Sequence, residues 1–230
     1  YGLEAFPNMS RMDRAIELYN WFQYYLKDIG DEPKHGVQIQ TNLGKWHKEI
    51  SWPPDDLTWQ EVNLESWTRE GTNIGGTGDR NLRMESPSLE SDIHVSGLPT
   101  LHLAIQAGSC NGGQVFATLR DSTADLRLGH AVMDLRYRDG GYDASPVTPF
   151  SSYIMKMEFN PLDVTIPAGH KLELILTETG EDYLPSPCSL RDPIGLTMKE
   201  TGTKFSLPLI ERNSNDERWI NPVVPTLQEL

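Results

Sequence analysis

The residues of this chain that could carry chemistry are scattered rather than clustered. The six histidines are His35, His47, His94, His102, His130 and His170. No two of them stand at the HxH or HxxxH spacings that bring two imidazoles onto one metal ion. His170 falls in a turn, and surface or sheet-edge positions on strands account for His94 and His102. A nucleophilic serine would want a Gly-x-Ser-x-Gly elbow between a strand and a helix, and the chain has none. The segment Thr72-Asn-Ile-Gly-Gly-Thr-Gly78 is rich in glycine, but neither a Lys-Ser/Thr pair nor a helix pattern follows it. It therefore lacks the cradle that backbone N–H groups make for phosphate. Glu178, Glu181 and Asp182 follow a predicted strand closely and could attract a cation, although a solvated loop face is the simpler reading. No spacing pairs two carboxylates as acid and base. The expectation is a chain with no catalytic residue, no metal ligand and no cofactor of its own.

Four tryptophans, Trp46, Trp52, Trp59 and Trp67, fall within a short interval. Exposed aromatic rings stack on sugars, so a carbohydrate-binding module is one reading; burial at a domain junction is the other. Junction burial is preferred, because the interval flanks proline-rich turns and alternation puts Trp59 on one face of its strand.

Composition narrows the partners. The net charge is −13 and the isoelectric point lies near 4.8. Phosphate contact wants clustered Lys and Arg, so nucleic acid is excluded as a partner; an acidic surface suits solubility or a cationic substrate. Mean hydropathy is −0.48, and no apolar run approaches the ~20 residues of a membrane span, so no membrane partner is expected. Cys110 and Cys188 could form one disulfide, but nothing in their spacing demands it, and two idle thiols are the preferred reading. No CxxC pair marks a structural zinc site. Nothing in the chain assigns a compartment.

The elements that would position such residues are mostly strands. Ser10-Arg-Met-Asp13 resembles a capping box, and Ala15, Ile16, Tyr19, Phe22 and Leu26 recur at helical spacing. A stop is expected near Asp28-Ile-Gly30. Trp21 and Tyr25 widen the aromatic face beyond what water tolerates, so the helix wants another domain or sheet. Alternation predicts strands at 37–41, 57–64, 91–95, 99–107, 114–121, 129–137, 153–159, 171–177 and 204–209. Residues 44–54 read as an aromatic and proline-punctuated connection, 68–90 as a long loop, and 213–230 as a tail that wraps the body without forming an element. The run 161–176 reads as a strand end, a Pro-Ala-Gly-His turn and a strand. Short strands at this spacing make a sandwich or jelly roll. The expected division is a helical segment over 1–36 and a β-sandwich over 37–230.

The order of these pieces resembles a known family. Tyr19-Asn-Trp-Phe-Gln-Tyr-Tyr-Leu-Lys27 precedes a short strand, then Trp46 and Trp52-Pro53. Gly97-Leu-Pro-Thr-Leu-His-Leu103 and Ile166-Pro-Ala-Gly-His-Lys-Leu-Glu-Leu174 follow. The chain is similar to the C-terminal non-catalytic region of the X-Pro dipeptidyl-peptidase and cocaine-esterase family of serine hydrolases. The resemblance implies a mostly β, jelly-roll (galactose-binding-like) sandwich with one N-terminal helix left from an α/β-hydrolase domain. It places the family's Ser, Asp and His upstream, so none maps onto this chain, which opens at Tyr1 and reads as a piece of a larger enzyme. It implies that Trp21, Phe22, Trp46, Trp52 and Pro53 pack between domains. The implied partners are an upstream α/β-hydrolase domain and, in an oligomer, further copies of the parent. The implied role is to pack on the catalytic domain and shape substrate access. The loop 68–90 departs from the family pattern.

Overall fold

The computed structural model describes residues 11–33, 36–76, 80–180, 183–184, 186–188, 191–212 and 215–221. Helix α1 spans Arg11–Lys27. It ends at Asp28, whose φ of 56° lies in the left-handed region and whose N–H bonds the Tyr24 carbonyl at 3.0 Å. The stop is thus an aspartate, a residue type that tolerates this conformation, two positions before the expected glycine. The expected cap, Ser10, lies outside the described residues.

Three sheets follow. The smallest joins β1 (Val37–Gln40), β2 (Trp46–Glu49) and β16 (Trp219–Ile220) in the order β1-β2-β16. The turn between β1 and β2 needs Gly44, at φ 76°, to let its N–H reach the Thr41 carbonyl at 2.9 Å. A five-stranded sheet runs β10 (Leu126–Asp134), β9 (Gln114–Asp121), β13 (Leu172–Thr177), β6 (Leu82–Glu85), β4 (Thr68–Glu70). The eight-stranded sheet runs β12 (Leu162–Ile166), β7 (Ile93–Gly97), β15 (Lys204–Leu209), β8 (Thr100–Gln106), β14 (Leu196–Met198), β5 (Asn73–Ile74). Its remaining strands are β11 (Ser152–Glu158), on β8, and β3 (Thr58–Val62), on β15.

The two large sheets form a β-sandwich, because each has one apolar face to bury. In β8, Leu101, Leu103 and Ile105 are fully buried while His102 between them is exposed. In β13, Leu172, Leu174 and Leu176 do the same from the opposite sheet. Met155, Met157, Phe159 and Phe205 complete one continuous core with Val115, Ala117 and Leu119.

Four sequence expectations need correction. The described part of 68–90 is not one long loop: it contains β4, β5 and β6, and Leu82 and Met84 enter the core at 0% and 2% exposure. These strands are two to four residues long, too short for alternation to register. The 44–54 connection contains β2, whose Trp-His-Lys-Glu sequence buries polar side chains. The tail contributes β16, held by pairing with β2. The preferred idle thiols are instead a disulfide between Cys110 and Cys188.

Candidate functional site

Two features stand out among the described residues: an uncovered aromatic helix face and a buried polar network. In α1, Gln23 is buried, whereas Trp21, Phe22 and Tyr25 are each close to half exposed. Trp21 lies edge-on to Phe22, with ring centroids 5.2 Å apart, and 4.7 Å from Tyr25. Leu18 and Leu26 extend the apolar surface. Helical spacing brings Trp21 and Tyr25 (i, i+4), and Phe22 and Tyr25 (i, i+3), to one side of α1.

The other expected packing residues lie elsewhere. Trp46 is 5% exposed and belongs to the interior of this chain, so its ring is not free for another domain. Trp52 and Pro53 are half-buried and joined by a cis peptide bond. Trp67 is buried in the core and Trp59 is exposed on β3, so these two and Trp46 do not make a row of stacking platforms for a sugar.

The polar network lies where the small sheet meets the sandwich. His47, on β2, is fully buried. Its Nδ1 stands 2.8 Å from Glu49 Oε1 and its Nε2 stands 3.1 Å from Asp163 Oδ2, on β12. His94, on β7, brings Nε2 to 2.9 Å from Asp163 Oδ1. Ser96 Oγ donates to Asp163 Oδ2 at 2.7 Å. The pairing of β7 with β12 sets this meeting, since it places Asp163 opposite Ser96 and Thr165 opposite His94. Glu49 also accepts from Arg212 Nη2 at 2.9 Å. Arg212 continues to Asp56, Asp56 to Arg218, and Arg218 to Asp216. Trp219, on β16, lies edge-on to His47 and parallel to His94.

Charge in this network reinforces itself. Burial alone would lower the His47 pKa; hydrogen bonds to Asp163 and Glu49, with their charges, outweigh burial and hold it above the ordinary value. Burial would raise Asp163, but His47 and His94 bring it down to about 2. The arrangement does not activate a nucleophile. In a Ser-His-Asp triad the imidazole stands between hydroxyl and carboxylate. Here the carboxylate stands between Ser96 and the two imidazoles.

The remaining sequence candidates are held structurally. Glu178 accepts from the Gly76 N–H at 3.2 Å, and Glu181 and Asp182 lie outside the described residues. His170 Nδ1 meets Asp121 at 2.7 Å beside the Pro-Ala-Gly-His turn. His130 stacks on Phe116, His102 is solvent-facing, and His35 lies outside the described residues. A cleft of about 570 Å³ runs between Glu61, Glu65, Trp67, Arg69 and Glu200, and no serine, cysteine or histidine lines it. No helix of the described residues is long and apolar enough to cross a membrane.

The meeting of His47, His94 and Asp163 was invisible to spacing rules, because the three residues sit on three strands far apart in sequence. The local signal is a histidine and an acid two apart in His47-Lys-Glu49, inside the stretch that reads as an aromatic and proline-punctuated connection.

Comparison with known proteins gives three findings. Residues 27–189 match the model of the X-Pro dipeptidyl-peptidase C-terminal non-catalytic domain. No curated protein matches the chain in sequence. Among solved structures, an aminopeptidase from the marine sediment archaeon Thaumarchaeota archaeon superposes with a TM-score of 0.62 at 14% identity, over 84% of this chain and 43% of its own. A CocE/NonD family hydrolase from Staphylococcus aureus gives 0.58 at 11%, over 87% and 46%. An alpha-amino acid ester hydrolase gives 0.59 at 13%, over 87% and 45%. At such identities the likeness is one of fold. The chain spans less than half the length of each of these structures.

Proposed function

This chain belongs to the X-Pro dipeptidyl-peptidase C-terminal non-catalytic domain family, and on that premise we propose that it is the accessory β-sandwich of a serine hydrolase. In this reading α1 docks on an α/β-hydrolase domain that carries the Ser-His-Asp triad and attacks an ester, or an amide after proline, by acyl transfer. The sandwich contributes burial and one wall of the substrate approach, not proton transfer.

The observation that carries the reading is the uncovered face of Trp21, Phe22 and Tyr25. An apolar surface rimmed by polar residues marks a contact site. Two further facts support it. The family match starts at residue 27, so nearly all of α1 lies outside the accessory domain proper. The solved structures of like fold are more than twice as long as the part this chain covers.

Covering each half-exposed ring contributes about 1–2 kcal/mol. The double variant Trp21→Ser, Phe22→Ser should therefore weaken association with the separately produced hydrolase domain by roughly tenfold or more. Titration calorimetry measures it. Unchanged affinity would remove the docking role from this face.

A further inference from the structure

We propose that His47, His94 and Asp163 form a site for one divalent transition-metal ion of the zinc class, which fastens the small β1-β2-β16 sheet to the sandwich. One ligand atom from each residue lies within 4.8 Å of the others. The donors come from β2, β7 and β12, so a single ion would link all three strands. Donors held about 2.0–2.1 Å from zinc stand roughly 3.3 Å apart in tetrahedral geometry. His47 Nε2 stands 3.1 Å from Asp163 Oδ2 and His94 Nε2 stands 2.9 Å from Asp163 Oδ1, so the ion would take both carboxylate oxygens, or one of them after a side-chain shift.

The orientation of His47 is the strongest argument. Both of its ring nitrogens face carboxylate oxygens, yet a neutral imidazole has one N–H and one lone pair. With one N–H on Glu49, Nε2 and Asp163 share either a second proton or a metal ion, and the ion would sit beside the line that joins them, bonded to both. A carboxylate behind the far nitrogen of a histidine is the usual outer support of a metal ligand. The donor set, two imidazoles and one carboxylate, suits zinc and its neighbours rather than calcium or magnesium.

Burial and charge agree. The side chains of His47, Asp163 and His94 are 0%, 4% and 9% exposed, which sets them apart from a solvated acidic patch. The connected network holds four carboxylates, Glu49, Asp56, Asp163 and Asp216, against two guanidinium groups, Arg212 and Arg218. With His47 and His94 neutral it is short of two positive charges, which one divalent ion supplies in place of two protons. Ser96 Oγ, on the same carboxylate oxygen, is the adjacent oxygen donor, and Trp219 walls one side. On binding, His47 presents Nε2 unprotonated, and His94 carries its proton on Nδ1.

The test uses the whole 230-residue chain, stripped with dipicolinate and then equilibrated with zinc chloride. Mass spectrometry after desalting should find one zinc per chain, and Tm should rise by roughly 5–10 °C at saturating zinc. Cobalt chloride should give visible absorption bands of a low-symmetry, nitrogen-ligated ion, a reading that needs no variant. His94→Ala and Asp163→Asn should lose the bound zinc, while His102→Ala, at an exposed histidine, keeps it. No uptake by the unaltered chain, or uptake that survives in both ligand variants, would overturn the proposal and leave a network held by protons alone. The outcome is independent of the docking role of α1.

Discussion

Asp192 shows how a single residue orders a loop. It is 2% exposed, and its carboxylate accepts the N–H groups of Ser109, Cys110 and Ile194 at 3.1, 3.3 and 3.0 Å, with the Ser109 hydroxyl at 2.8 Å. Burial pushes its pKa up, but these donors, led by Ile194, win and hold it below the ordinary carboxylate value. A depressed acid stabilises the fold at pH values above its unfolded pKa, roughly 4, and that contribution disappears as pH falls through the folded value. Stability should therefore decline below about pH 4, and Asp192→Asn should flatten that acid limb in urea titrations across pH. Asp192→Ala leaves three N–H groups unsatisfied and should cost about 1–3 kcal/mol at neutral pH. At this scale the sequence conceals most of what matters. Asp192 reads as an ordinary loop acid. His47 and Glu49 fall in a stretch that reads as a connection, and their partners Asp163 and Arg212, far off in sequence, are what let them lie inside.

Elements are legible where alternation runs long enough. The Leu-x-Leu-x-Leu of β13 and the Leu-x-Leu-x-Ile of β8 announce both their conformation and their buried face. The strands β4, β5 and β14 do not, since a strand of two or three residues has no period to read and exists only because a neighbour pairs with it. The aromatic face of α1 is legible from helical spacing, whereas Trp46, equally aromatic, turns inward on β2. The Cys110–Cys188 disulfide joins residues 78 apart in sequence, a pairing that spacing alone leaves open. Closing a loop of that size restricts the unfolded chain by about 4 kcal/mol. The Cys110→Ser, Cys188→Ser variant should melt roughly 10 °C lower than the oxidised chain, and reduction of the unaltered chain should reproduce the shift in calorimetry. An unmoved Tm would mean that Asp192 and the surrounding backbone bonds hold this loop without the covalent link.

For the whole molecule, the sandwich core follows from the strand pattern, and the absence of a nucleophile elbow agrees with membership in a non-catalytic domain family. The attachment of the small sheet does not follow, because it is built from side chains that meet only where β2 approaches β7 and β12 of the eight-stranded sheet. In this account the division of labour between domains is central: the sandwich supplies surface, and a separate domain supplies the triad. The most direct measurement is hydrolysis of a chromogenic ester and of a Gly-Pro-anilide by the 230-residue chain alone, beside the same chain joined to the proposed hydrolase domain. The account predicts turnover by the joined protein and none above the buffer rate by the chain alone. Turnover by the purified chain would contradict it, since a nucleophile would then have to reside among residues that the geometry assigns to structure.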